Sequence, residues 1–282
     1  MNANTLSAEK RRQTIMSVVL AVICVIYVLP VAAVVINSFK VNPYVKTNTF
    51  ELPTGEMWAG FDNFIKGMTF GNYSFWKCVF YSAFITIVST ALILICTSMA
   101  AWYIARVNST FCKAVYYLCV FSMVVPFQMV MYTLSKTADK LKLNTPWTIP
   151  IVYLGFGAGL AIFMFVGFVK SIPIEIEEAA AIDGATGWKT FRYITLPLLG
   201  PTTLFVSTIA FTNCFKLADQ VIIMTEGAPN NASTLLLYYI YQQGFTNMNY
   251  GRSSALTVIM LVLLMIVSLP RFFSQDRKIH YN

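Results

Sequence analysis

Glu178-Ala-Ala-Ala-Ile-Asp-Gly184-Ala-Thr-Gly-Trp-Lys-Thr-Phe-Arg-Tyr-Ile194-Thr-Leu-Pro197 is a polar island between long apolar runs. Pro173, just ahead of it, fits the first turn of a helix, where its missing N–H had no partner to lose. Glu175, Glu177 and Glu178 then face the positive end of the helix dipole. A short helix is expected from about Pro173 to Ile182. In it, Ala179, Ala180 and Ala181 make a small-side-chain stretch that another protein can approach closely. Gly184 permits the left-handed turn that ends such a helix, and Gly187 allows a second bend. Trp188–Ile194 then forms a second short segment, closed by Leu196-Pro197. The expected shape is a helix–turn–helix lying across one membrane face. An ordinary amphipathic connector would share its polarity and helicity, so physics alone leaves docking loop and connector both open.

Working outward, the rest of the chain is oily. Hydrophobic residues make up 57% and charged residues 11%, with a mean hydropathy of +0.65, against about 25% charged in an ordinary soluble domain. A helix needs about 20 mainly apolar residues to cross the hydrocarbon core. Six segments qualify: Ile15–Ile36, Trp76–Tyr103, Ala114–Thr133, Thr148–Val169, Thr202–Met224 and Ala255–Phe273. The expectation is an all-α membrane protein, with one membrane domain over 15–273 between short tails at 1–14 and 274–282. No length remains for a sizeable soluble domain.

Lys10, Arg11 and Arg12 precede the first apolar run, which is too long for a signal-peptide core and lacks a small-x-small cleavage site. It reads as a retained helix entering from the cytoplasm. Six crossings from that start place both termini and the 104–113 and 170–201 segments in the cytoplasm. Total basic residues divide almost evenly between the two sides. Of the seven arginines, however, only Arg252 falls outside, which the positive-inside tendency favours; the alternative is the inverted topology, with the Glu178 island outside. Outside lie a loop over 40–77 with an amphipathic piece at Phe61–Met68, and a loop over 225–254 that carries the tyrosine-rich piece Leu235–Tyr241.

Several functions are set aside on the residues alone. The net charge of +8 flanks apolar spans, as orientation and anionic headgroups require, and no basic and aromatic surface for nucleic acid accompanies it. Cys24, Cys78, Cys96, Cys112, Cys119 and Cys214 lie in or beside spans with no metal-ligand spacing, which suits apolar packing. His280 is the single histidine. Gly187-Trp-Lys-Thr190 lacks the adjacent Gly-Lys and the preceding loop of a phosphate cradle, so neither ATPase nor other catalytic machinery is expected in the chain, and no cofactor or metal. Gly155 and Gly159 suggest a small-x-x-x-small packing face in the fourth span.

The island resembles the EAA loop of permease subunits of binding-protein-dependent ABC importers, with Glu178, Ala179, Ala180, Gly184, Ile194, Leu196 and Pro197 on the motif positions and Asp183 beside them. Ile172-Pro-Ile-Glu175, Ala181-Ile-Asp-Gly-Ala-Thr186 and Phe191-Arg-Tyr-Ile-Thr-Leu-Pro-Leu198 resemble the maltose-type carbohydrate-uptake subgroup. So do Asn37-Ser-Phe-Lys40, Ala100-Ala-Trp-Tyr-Ile-Ala-Arg106 and Val125-Pro-Phe-Gln128. The likeness covers nearly the whole chain. Phe215-Lys-Leu-Ala-Asp219 and Tyr238-Tyr-Ile-Tyr-Gln-Gln-Gly-Phe245 look more like the larger permease of such pairs, whereas the upstream sequence resembles the smaller, six-span type.

The resemblance implies a type I ABC importer permease fold of six transmembrane helices with a cytoplasmic coupling helix, in a bacterial or archaeal plasma membrane. It also implies partners: a second permease subunit forming a heterodimer, two ABC ATPase subunits and an extracytoplasmic solute-binding protein that delivers a sugar. In that picture Glu178 pairs locally and with the ATPase, Ala179 and Ala180 pack into its cleft, and Gly184 sets the bend. Intramembrane polar residues are the candidates for the substrate path: Gln128 after Pro126, and Asn213, Lys216 and Asp219 in the fifth span. Packing between helices, or neutralisation of Lys216 by Asp219 at i,i+3, would equally explain them. An ion-driven secondary transporter is the alternative, but the internal repeats and paired intramembrane carboxylates it would show are absent.

Overall fold

The computed structural model describes residues 3–69, 74–216 and 235–276. Among them the regular elements are helices, and extended backbone pairs only in a single bridge between Lys40 and Trp58. In chain order they are α1 (Ala3–Ser38), α2 (Asn42–Thr47), α3 (Asp62–Thr69), α4 (Phe75–Arg106), α5 (Thr110–Ser122), α6 (Phe127–Lys140), α7 (Ile149–Ser171), α8 (Ile174–Ile182), α9 (Gly187–Leu198), α10 (Gly200–Lys216), α11 (Leu236–Tyr241) and α12 (Tyr250–Asp276).

Four of these carry stretches long and apolar enough to cross a membrane: Arg11–Ser38, Phe75–Arg106, Ile149–Ser171 and Tyr250–Pro270. The bent pair α9–α10 would make a fifth. The third span expected over Ala114–Thr133 is not one helix. It divides into α5 and α6 at Met123–Pro126, because Pro126 cannot donate into a preceding turn and drives Val125 toward extended backbone. Pro126 itself sits as an extended N-cap with ψ 137°. The helix after it continues past Thr133 to Lys140 as a polar, amphipathic segment. The fifth span, expected to reach Met224, is described only to Lys216.

The chain forms two compact units. The larger is built on α4 packed against α7, with α5 and α10 alongside. Its core includes Ile85, Ile93, Tyr153, Phe165, Val166 and Leu199, all nearly inaccessible to solvent. Glycine explains how closely these helices approach. A Cβ on Gly157 would lie 2.3 Å from Cδ1 of Ile93, and one on Gly159 would lie 2.8 Å from the carbonyl oxygen of Cys119. A Cβ on Gly155 would meet nothing within 4 Å. Gly157 therefore admits α4 and Gly159, on the other side of α7, admits α5; Gly155, expected to share a packing face with Gly159, faces open space. Leu235 and Tyr238 at the start of α11 join the same core, and Ser82 Oγ accepts a hydrogen bond from the Leu236 N–H at 2.8 Å. This tyrosine-rich piece is thus core and not surface loop.

The smaller unit is tied by polar contacts. Lys40 is fully buried, and its ammonium donates to Asn37 Oδ1 at 3.0 Å and to the carbonyls of Asn48 and Thr49. Loss of hydration lowers its pKa below the ordinary lysine value, with the charge of Glu51 pulling the other way. Asn63 on α3 donates to the carbonyls of Ser38 and Lys40, so α3 turns its polar Asn63 inward and leaves Phe61, just before it, and Ile65 exposed. An outward apolar face is what a helix lying on a membrane surface needs.

Candidate functional site

The polar island folds as the sequence expects up to its turn. Pro173 is the N-cap of α8, and the helix ends in a Schellman motif: the Gly184 N–H donates to Ala181 O at 3.1 Å and the Ala185 N–H to Ala180 O at 2.9 Å. Gly184 takes φ +82°, the left-handed conformation that makes this closure possible. Gly187 does not supply a second bend, since it is the first residue of α9. A Cβ there would lie 3.5 Å from the Trp102 ring, an ordinary contact, so packing does not demand a glycine at this position either. Phe191–Thr195 within α9 widens into a π-turn just before Leu196-Pro197. Proline would clash with the Tyr193 carbonyl of a regular helix, and the wider turn relieves it. A 76° bend at Leu199 then leads into α10.

One carboxylate organises these elements. Glu177 Oε1 accepts from Arg106 Nη2 at 3.0 Å, from Thr195 Oγ1 at 3.0 Å and from Trp102 Nε1 at 3.2 Å. Its Oε2 accepts from Arg106 Nε at 3.1 Å and from the same indole at 3.2 Å. The Arg106 pair is a bidentate fork, and both side chains are largely buried at 16% and 10% exposure. Arg106 Nη2 also donates to Ile172 O at 3.1 Å. The rings of Trp102 and Phe191 pack at 5.6 Å over the same junction. The last turn of α4, the start of α8 and the π-turn of α9 therefore meet on Glu177.

The faces of α8 follow from this. Ala180, one turn after Glu177, is buried at 8% exposure, while Glu175, Glu178, Ala179, Ile182, Asp183 and Gly184 are exposed. The local pairing expected of Glu178 belongs to Glu177, and among the described residues Glu178 has no side-chain partner. Of the two alanines expected to enter a partner's cleft, Ala179 is available and Ala180 is already packed inside the chain. Ile194 and Leu196 are half-buried and Pro197 is exposed.

Residues 93–277 match the family described as binding-protein-dependent transport system inner membrane component. The chain belongs to that family. This permease is 31% identical over 261 residues to a multiple sugar-binding transport system permease protein of Streptococcus mutans, covering 89% of this chain and 90% of the relative. It is 29% identical over 245 residues to a probable starch degradation products transport system permease protein of Thermoanaerobacterium thermosulfurigenes, covering 86% and 87%. Among solved structures it superposes on a chain of a bacterial ABC transporter that imports the acidic polysaccharide alginate, with a TM-score of 0.72 at 18% identity, over 97% of this chain and 99% of that one. The fold is that of a type I ABC importer permease.

The permease does not gather its expected substrate-path residues into one described site. Gln128 lies in the first turn of α6, Asn213 is exposed on α10, Lys216 is the last described residue of α10, and Asp219 lies outside the described residues. What the structure does assemble is a buried hydroxyl row on α4. Thr86, Ser89 and Thr90 are almost inaccessible; Ser89 and Thr90 lie against the Cys214 thiol, and among the described residues the hydroxyls of Thr86 and of Tyr153 on α7 have no hydrogen-bond partner. The signal was present as Ser82-x-x-x-Thr86-x-x-Ser89-Thr90, a helical-period stripe that small hydroxyls disguise within an apolar run.

Proposed function

We propose that this permease is one half of the membrane pathway of an ATP-driven sugar importer, and that α8 is the coupling helix that receives an ABC ATPase subunit. The observation that carries the reading is the two-sided character of α8. Its inward face is fixed by Glu177 and Ala180, while Glu178, Ala179 and Asp183 stand exposed, without a side-chain partner among the described residues, beside the Gly184 turn. The sugar class comes from the relatives, whose names concern sugars and starch degradation products. The partners are a second permease, two ATPase subunits and an extracytoplasmic solute-binding protein.

In this reading the chain crosses the membrane six times, with α5 and α6 as a broken third crossing and both termini in the cytoplasm. Closure of the ATPase pair pulls α8 and swings the spans between inward- and outward-open states, a rigid-body alternation. ATP is hydrolysed by the partners. Gln128, Asn213, Lys216 and Asp219 remain candidates for solute contact.

The test is purification of the tagged permease from its native membrane in mild detergent, with identification of what accompanies it. A P-loop ATPase and a second permease should co-purify in defined ratio, and the ATPase should be lost on Glu178→Arg with Ala179→Trp. A monomer free of ATPase, under conditions that preserve other such complexes, would sink the proposal.

A further inference from the structure

The covalent links at the two ends of α8 both interrupt the helix. Ile172-Pro173 enters it in extended conformation, with ψ 119° and 134°, and Gly184 leaves it at φ +82°. Neither link makes a continuous helix with α7 or α9, so a push on α8 could be absorbed by rotation about a few backbone bonds without moving any span. Something else must hold α8 rigid to the bundle. Among the described residues the polar group that does so is the Glu177 carboxylate, which takes five hydrogen bonds from three side chains on two other elements. Arg106 also ties down the entry link through its bond to Ile172 O.

We infer that Glu177, held by Arg106, Trp102 and Thr195, is the transmission latch of the permease. It is a positioning residue that makes the coupling helix, the last turn of α4 and the π-turn of α9 move as one body. The assignment rests on the coupling role proposed for α8. It differs from that role in placing the mechanical connection on the inward face, at a residue no ATPase need touch. A carboxylate suits the task because its two oxygens accept the fork of Arg106 and two further donors at once. An amide at the same place offers one acceptor oxygen and turns an NH₂ group toward donors.

The experiment uses the whole importer, with its own ATPase and permease partners, in lipid nanodiscs. Exposed Cys24 and Cys96 are replaced by serine, and spin labels are placed at Ile182→Cys on α8 and Tyr103→Cys on α4, both exposed positions. The α8–α4 distance is then read by pulsed electron resonance without nucleotide, with ATP, and after vanadate trapping. With Glu177 in place the distance should stay constant through the cycle. In Glu177→Gln it should broaden or shift with ATP on the order of 2–5 Å, the scale of helix slips between packed states, while ATP hydrolysis persists. Arg106→Lys, which keeps the charge but loses the fork, should slip similarly.

A constant distance in both variants, or an ATP-dependent change with Glu177 intact, would overturn the latch. Failure of both variants to accumulate in the membrane would assign the cluster to folding and overturn it equally. Absence of any ATPase from the unmutated complex would instead remove the coupling reading itself, a distinct outcome.

Discussion

Replacing Gly184 in turn by alanine, asparagine and aspartate separates two reasons why a glycine could stand at the end of α8, the proposed coupling helix. One is backbone conformation, the other close approach of a partner. Gly184 holds φ +82°, and a Cβ built on it meets nothing within 4 Å of this chain. Alanine therefore loses nothing to steric clash inside the permease, and its penalty is the left-handed backbone alone. That penalty is about 1–2 kcal/mol for a residue with a Cβ, which lowers the ratio of closed Schellman turn to frayed turn by roughly 5–30-fold. Asparagine enters the left-handed region far more readily than alanine, and aspartate shares part of that tolerance while adding charge.

Conformation alone therefore predicts that ATP-driven uptake falls in the order glycine, asparagine, alanine, with membrane accumulation unchanged in all. Close approach of a partner predicts a different order, in which alanine is best tolerated and asparagine and aspartate both fail by bulk. The assay is binding-protein-dependent uptake by proteoliposomes of the reconstituted complex, normalised to permease content on immunoblots. Alanine matching glycine while asparagine fails would refute the conformational account. Loss of Gly184→Asp from the membrane would move the residue from coupling to folding.

Other substitutions test the bundle and the pathway. Gly159→Ala drives a Cβ to 2.8 Å from the Cys119 carbonyl, which cannot rotate away, whereas Gly155→Ala meets open space. The first should destabilise by about 1–3 kcal/mol and the second should not, as read by thermal inactivation in detergent. Thr86→Val removes a buried hydroxyl that has no partner among the described residues and keeps the side chain's shape, so it should hold or raise thermal stability. Uptake lost at undiminished stability would place that hydroxyl on the solute's route. Lys40→Met strips a donor from buried Asn37 and from two carbonyls, at about 1–3 kcal/mol for each group left unmatched. It should open residues 41–58 to protease, and Lys40→Arg should not restore protection because the site has no exposed volume.

The parts of this structure that a sequence exposes are those governed by local chemistry. Pro173, the acidic first turn, the alanines and Gly184 each act within a few residues of themselves, and α8 with its Schellman end follows directly. The long apolar runs give α1, α4, α7 and α12 for the same reason. The third apolar run divides into α5 and α6 because Pro126 removes one N–H from a helix whose composition is otherwise continuous, and composition does not say whether a proline bends a helix or ends it.

The latch was hidden for a different reason: its members are 75 and 71 residues apart along the chain, and nothing local marks Glu177 over Glu178 as the inward carboxylate. Trp102 and Arg106 fall one turn apart on α4, which puts indole and guanidinium on the same face, but the acceptor they share appears only when α8 folds back beside them. The two adjacent glutamates then divide the work by helical phase. A rotation of about 100° per residue turns one into the bundle, where it is spoken for by three side chains, and the next toward whatever docks. The coupling role proposed for α8 needs both, since a surface that grips a motor does no good unless its reverse side grips the load.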